Sequence, residues 1–249
     1  MTLHHDGDRS TSAAVTMQDT PTNSTFAASL SPSALDALRR AGNKRIYQAT
    51  TTLFHQGDPS RHAVLIEKGW VKVESTSRRG WLALLAIRGP GDILGELSAV
   101  DGHPRMATVT GLTLVEAVVL STERLHECLA DRPEIALALV RHVAAALREA
   151  DGRRVEYGAS NGDQRLAALL VELMEKNGSP VGEGVVIDLP LTQHDLAAAV
   201  GVSREVVART LRILRQRRIV LTGRRRITVV RADLLRSLAG SVSMSTEQG

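Results

Sequence analysis

Cysteine is nearly absent from this sequence: Cys128 is the only one in 249 residues. An intrachain disulfide is excluded, as is a metal or iron–sulfur centre held by four cysteines of one chain. In its Leu- and Ala-rich surroundings the lone thiol reads as a small core hydrophobe, and a reducing compartment fits. Aromatic residues make up only 2%, so aliphatic side chains and alanine must fill any core. Long apolar runs are missing too. The longest, Trp81–Ile87, is far short of the roughly 20 residues that a membrane-spanning helix requires. The first 25 residues have neither a basic start nor an apolar stretch and do not read as a secretory signal. Rich in Ser, Thr and Asp, they read as a disordered arm in which His4 and His5 form no metal site. Catalytic signatures are also wanting: there is no P-loop, nucleophile elbow, HExxH or paired Cys/His ligand set. The expectation is a cytoplasmic, nucleoid-associated protein that is not an enzyme, holds no metal and contacts no membrane.

What the sequence does have is charge, unevenly placed. Through residue 158, 18 Lys and Arg balance 18 Asp and Glu, whereas from residue 159 onward the count is 13 against 9. Within Ser203–Arg226 nine arginines face one acid, Glu205. A basic run is often only a solvated face. This excess is dense enough to repel itself without a polyanion nearby, and nucleic acid is the partner it implies.

Three patterns follow one another along the chain. Leu35–Leu120 holds short Val/Leu/Ile-rich runs (Ala63–Glu67, Trp70–Glu74, Trp81–Ile87, Thr113–Leu120) punctuated by Gly and Pro, as in a β-barrel or sandwich, with Glu67-Lys68-Gly69 as a hairpin turn. Ser121–Ala130 then reads as a capped helix, and Pro133 opens a longer one. On that helix Ile135, Leu139, Val143 and Leu147 recur every four residues, a stripe that can pack on the barrel or, as preferred here, pair with its copy in a homodimer. The break Gly158–Gly162 marks a domain boundary. Beyond it come a helix at Gln164–Lys176, a loop at Asn177–Gly184, a strand at Val185–Leu189, two helices and an Arg-bearing hairpin. The domains expected are an arm at 1–25, a barrel at 26–131, a dimerisation helix at 132–158, a DNA-binding domain at 159–238 and a disordered tail at 239–249.

The informative segment is Leu191–Val220. Thr192 and Asp195 form a capping-box pattern at the start of a helix that buries Leu196, Ala199 and Val200. Gly201 ends it and Ser203 caps a second helix. Two short helices around a Gly-containing turn describe a helix-turn-helix. At about 100° per residue, Val207, Leu211 and Leu214 share the inner face, while Glu205, Arg209, Arg212 and Gln216 point outward and Arg204 flanks the first turn. Arginine can donate twice to guanine and a carboxylate can accept from cytosine.

Val202-Ser203-Arg204-Glu205-Val206-Val207-Ala208-Arg209 resembles the recognition helix of the cyclic-AMP receptor protein (CRP/FNR) family of bacterial regulators. That resemblance implies base contacts by Arg204, Glu205 and Arg209 on a half-site like TGTGA. It further implies phosphate contacts by Thr192 and Ser203, a basic wing with Arg225 at its tip, a homodimer on a palindrome, and RNA polymerase as protein partner. The N-terminal half agrees: Gly91-Asp92-Ile93-Leu94-Gly95-Glu96-Leu97-Ser98 followed by Pro104-Arg105-Met106-Ala107-Thr108 resembles the phosphate-binding cassette of the family's cyclic-nucleotide domain. Chemically, Gly95 permits a close backbone approach, Glu96 can accept a ribose hydroxyl, and Arg105 can pair with a cyclic phosphate. Gly95, Glu96, Leu97, Arg105, Met106 and Ala107 are the ligand residues implied, together with Asp151 of the long helix, which could accept from an amine of the base. The fold implied is α+β: a jelly-roll β-barrel, a long dimerisation helix and a C-terminal winged helix-turn-helix.

Two positions depart from the family pattern. Met106 stands where cyclic-AMP-activated members often carry Ser, and ungapped placement puts Ala150-Asp151 where they carry a Thr-Ser pair touching adenine. Cyclic AMP is the effector expected, with cyclic GMP, a ligand-independent pocket, or a haem bound by His55, His62 or His103 as alternatives. A nucleotide-binding module acting on a protein partner is the reading from another class, and the arginine-rich second half speaks against it.

Overall fold

The computed structural model describes residues 25–59 and 61–240. Most of the N-terminal arm and of the C-terminal tail read from the sequence lies outside the described residues.

The first unit opens with helix α1 (Pro32–Ala41), whose cap Ser31 accepts a hydrogen bond from the Ala34 amide and whose Pro32 occupies the first turn. Strands β1 (Asn43–Tyr47), β2 (Thr52–Phe54), β3 (His62–Lys68), β4 (Val71–Thr76), β5 (Leu82–Arg88) and β6 (Ile93–Leu94) follow. Helix α2 (Glu96–Asp101), strands β7 (Thr108–Gly111) and β8 (Val115–Ser121), and helices α3 (Thr122–Asp131) and α4 (Pro133–Ala159) complete it. The strands form two antiparallel sheets ordered β1-β8-β3-β6 and β2-β7-β4-β5, a jelly-roll-like pair rather than one closed barrel.

The unbroken apolar run in β3 has a physical reason. Val64 and Ile66 face the core between the sheets with Phe54, Val71 and Val109. Ala63 and Leu65 face the opposite way, into a core shared with α1, α3 and α4 through Leu38, Leu125 and Ile135. A strand covered on both faces shows no alternation of polar and apolar residues.

The second unit consists of α5 (Gly162–Asn177), β9 (Gly178–Val181), β10 (Gly184–Ile187), α6 (Gln193–Val200), α7 (Arg204–Gln216), β11 (Val220–Gly223), β12 (Arg226–Val229) and α8 (Ala232–Gly240). Its sheet runs β11-β12-β10-β9 over a core that includes Leu166, Leu170, Leu196, Val207, Leu211 and Ile219.

Four expectations need correction. Glu67-Lys68-Gly69 is not a hairpin turn, because β3 and β4 lie in different sheets. Gly69, at φ +86°, turns the chain from one sheet to the other, and a Cβ there would strike the Leu114 carbonyl. The loop expected at Asn177–Gly184 contains β9, paired antiparallel with β10; Gly178 and Pro180 hid it, and Pro180 is tolerated because β9 is an edge strand. Residues 239 and 240 belong to α8 and not to a disordered tail.

Fourth, the α4 stripe does not keep to one face of the helix. Ile135 and Leu139 are buried against the first unit while Leu147 is 61% exposed. A row repeating every four residues advances about 40° per step on a 3.6-residue helix, so it winds from the inner to the outer face. The exposed apolar residues are Leu137, Val140, Leu147 and Val155.

Candidate functional site

The sequence motifs meet at a cavity of about 540 Å³, lined by the cassette, by β5, by α4 and by the C-terminal end of α6. Arg105 is its most unusual member. Its side chain comes from the segment before β7 yet is only 3% exposed. One Nη donates to the Gly95 carbonyl at 2.7 Å, the other to the His62 carbonyl, and the guanidinium lies 4.3 Å from the centre of the Phe54 ring. Nε has no hydrogen-bond partner among the described residues. None of these contacts is with a carboxylate. Burial pushes the Arg105 pKa down, against the pull of Glu96 and Asp58. A buried cation without a paired anion is costly, and an anion entering the cavity would relieve that cost.

Gly95 makes this placement possible. It sits at φ +73° between β6 and α2, and a Cβ would collide with the Arg105 guanidinium. The close approach inferred from the sequence is therefore to Arg105 itself. Gly95→Ala is predicted to lose about 1–2 kcal/mol from the left-handed backbone alone and to displace Arg105 as well. Thermal melting checks the first effect; an unchanged Tm would contradict it.

Glu96 begins α2. Burial raises its carboxyl pKa, opposed by its own backbone amide and by Arg88 and Arg105. Leu97 and Met106 line the cavity but are substantially exposed, Met106 at 58%, while Ala107 is buried. Asp151 is not among the lining residues. It stands on the exposed face of α4, 4.0 Å from Arg154, and Ala150 lines the cavity in its place.

Several lining residues carried no sequence signal for a pocket. His142, Ala146, Arg153 and Tyr157 of α4, and Ala198, Ala199 and Gly201 of the second unit, reach the cavity only through tertiary packing. Ala199 is accordingly not part of the second unit's core as expected; Ala197 is buried in its stead. The Ala199 carbonyl accepts from the Tyr157 hydroxyl at 2.8 Å. Next to this contact, Lys72 Nζ of β4 lies 2.7 Å from Asp195 Oδ1 of α6 and 2.9 Å from Glu74 Oε1. The helix-turn-helix is thus tied to β4 of the first unit by an ion pair whose acid is 5% exposed.

The second site is the outer face of α7. Ser203 caps this helix through a bond from the Val206 amide. Val207, Leu211 and Leu214 are buried, and Arg204, Glu205, Arg209 and Arg212 are exposed. Glu205 has a lowered pKa, first through a hydrogen bond with Ser203, then through its own backbone amide and Arg204. Arg224 and Arg225 form the two-residue tip between β11 and β12, with Arg225 at φ +59°. Thr192 is engaged in the capping box: its hydroxyl bonds Asp195 Oδ2 at 2.7 Å and accepts from the Asp195 amide.

Comparison with known proteins identifies the family of each unit. Residues 44–132 match the cyclic nucleotide-binding domain family, and residues 164–238 match the Crp-like helix-turn-helix domain. The chain is 34% identical over 180 residues to the CRP-like cAMP-activated global transcriptional regulator of Mycobacterium tuberculosis, covering 72% of this chain and 80% of that protein. It is 29% identical over 210 residues to the cyclic AMP receptor protein of Thermus thermophilus, covering 84% and 94% respectively. Among solved structures it resembles a CRP/FNR-family transcriptional regulator, also from Thermus thermophilus, with TM-score 0.69, 26% identity, and coverage of 81% of this chain and 100% of that one.

A cyclic nucleotide-binding domain joined by a long helix to a helix-turn-helix defines a DNA-binding transcription regulator with an effector pocket. This chain belongs to the CRP family of such regulators. No helix among the described residues is long and apolar enough to cross a membrane, and no cluster of three or more His, Cys, Asp or Glu among them is suited to a metal.

Proposed function

We propose that this protein is a homodimeric regulator gated by cyclic AMP, reading a TGTGA-like palindrome and acting with RNA polymerase in the cytoplasm. The observation that carries the effector reading is the buried Arg105 guanidinium, which spends its hydrogen bonds on two backbone carbonyls and meets no carboxylate. Arg105 would hold the cyclic phosphate and Glu96 a ribose hydroxyl, with Gly95, Leu97, Met106 and Ala107 around them. A cavity of about 540 Å³ is within the usual range for a small ligand. The Mycobacterium tuberculosis relative, described as cAMP-activated, supports cyclic AMP over cyclic GMP. Leu137, Val140 and Leu147 form the exposed α4 face on which a second copy would pack, bringing Asp151 toward the partner's pocket.

On DNA, Arg204, Glu205 and Arg209 are the base readers. Arg212, Thr192, Ser203 and Arg225 lie along the flanking backbone. Calorimetry of the full chain with cyclic AMP and cyclic GMP tests the effector; absence of heat with either at millimolar concentration would refute gating. Gel shifts test the readers. Arg204→Ala is predicted to cost about 1–3 kcal/mol of base discrimination, and a variant that still rejects mismatched sites as wild type does would refute the assignment.

A further inference from the structure

The helix-turn-helix sits on an elbow, and the elbow touches the reading face. Asn161, between α4 and α5, caps α5 in a full capping box. Two residues on, the Asp163 carboxylate leaves α5 and meets α7. Its Oδ1 accepts from the hydroxyl of Thr210, a residue only 5% exposed. The same carboxylate receives Arg209 Nη2, at 3.2 Å to Oδ1 and 3.4 Å to Oδ2.

We infer that Asp163 is a positioning residue for base reading: it holds the Arg209 guanidinium away from Glu205 and so sets how sharply the protein discriminates bases. This rests on the reading of α7 given above. Glu205 and Arg209 are four residues apart on one face of α7, the spacing at which an acid and a base pair within a helix. Paired with each other, the two would spend on themselves the groups that bases must satisfy. In the structure they are apart. Arg209 turns to Asp163, and Glu205 stays exposed in the first turn of α7.

The position of Asp163 is itself fixed. A flexible surface ion pair holds little geometry, but this carboxylate is anchored by the buried Thr210 hydroxyl and stands in the first turn of a capped helix. Arg204 and Arg212, also exposed on α7, form no ion pair with a carboxylate within 4.0 Å among the described residues. An acid beside the reading face also opposes the phosphates electrostatically. Asp163 therefore weakens binding to any DNA while sharpening the choice among sequences.

The test is a set of variants of the full chain, Asp163→Asn, Arg209→Ala and the double variant. Their affinities are measured for a duplex carrying the palindrome and for one with a single substituted base pair in each half-site, over a range of salt. Asn keeps an oxygen for Thr210 and removes the charge. Asp163→Asn is expected to bind the mismatched duplex as tightly as wild type or more so. Its ratio of matched to mismatched affinity should fall roughly three- to tenfold, within the value of one base contact. In the Arg209→Ala background the same change should leave the ratio where Arg209→Ala put it, and Asp163→Glu should recover part of the loss.

An unchanged ratio in Asp163→Asn, with Arg209→Ala reducing it, overturns the positioning role alone. No effect of Arg209→Ala overturns the reading of α7, and this inference with it. A further drop on adding Asp163→Asn to Arg209→Ala shows that Asp163 acts on the fold and not through Arg209, which also overturns the inference. Should Asp163→Asn fail to fold, Thr210→Val, which frees the carboxylate from its anchor, must lower the ratio in the same direction; a full wild-type ratio would contradict it.

Discussion

Arg105→Met should abolish the response to cyclic AMP while leaving a folded protein. In the free chain two effects of this change oppose each other. The carbonyls of Gly95 and His62 lose their donors, which costs about 1–3 kcal/mol for each group left unsatisfied. Against that, an arginine whose pKa is already lowered by burial is no longer forced to carry charge in the interior. Stability of the free protein should therefore change modestly. Binding has no such compensation, since Arg105, the only buried cation among the described residues, is gone. Removing one partner of a buried, hydrogen-bonded charge pair costs about 2–5 kcal/mol, so cyclic AMP affinity should fall by at least roughly thirtyfold. Melting curves with and without cyclic AMP separate the two effects. A ligand-induced rise in Tm that survives in Arg105→Met would contradict the pocket assignment.

Lys72→Met should release the docked helix-turn-helix. Lys72 reaches from β4 to Asp195 and Glu74, and both acids are nearly buried. Removing the cation strands two carboxylates in a low-dielectric contact. Breaking a buried pair this way costs about 3–5 kcal/mol, and the lower end applies because Lys72 is 21% exposed. Methionine keeps most of the apolar stem, so the loss reflects charge more than volume.

The same contact gives a pH dependence with a definite sign. Burial alone would raise the Asp195 pKa, but Lys72 and Thr192 outweigh it and hold the folded value below that of a free aspartate. A depressed carboxylate stabilises above its unfolded pKa, and that contribution is lost as pH falls through the lower folded value. Acid should therefore loosen the wild-type docking, and Lys72→Met should lack this part of the acid transition. Limited proteolysis at the Gly158–Gly162 elbow, compared at neutral and acid pH, reads both effects. Equal cleavage of wild type and Lys72→Met at neutral pH would contradict the docking role.

The helix-turn-helix was legible from the sequence because its signals are local. A capping box at Thr192, a helix-ending Gly201, a Ser203 cap and an outward row of arginines all fall within one stretch of chain. The cassette was legible for the same reason, since Gly95, Glu96 and Arg105 are close in sequence. What was not legible depends on contacts far apart in the chain. Nothing local says that Ala199 faces Tyr157 or that Asp195 meets Lys72, 123 residues away. Nor could spacing alone place the α4 stripe, because a four-residue repeat drifts around the helix. Asp151, placed by alignment of the long helix, lies outside the cavity of its own chain.

Partner choice within the capping box is the subtlest case. The Thr192–Asp195 pattern reads correctly as a cap, yet the same carboxylate also ties the helix-turn-helix to the effector domain. One residue serves a local rule and a tertiary contact, and only the first leaves a sequence signature.

In the function proposed, cyclic AMP controls DNA binding. The most direct test is the affinity of the full chain for a TGTGA-type palindromic duplex, measured at one fixed salt concentration with and without saturating cyclic AMP. The complex is predicted to be at least roughly tenfold tighter with cyclic AMP, about 1.4 kcal/mol, a difference absent from Arg105→Met. Equal affinity of the wild-type chain in the two conditions would contradict it.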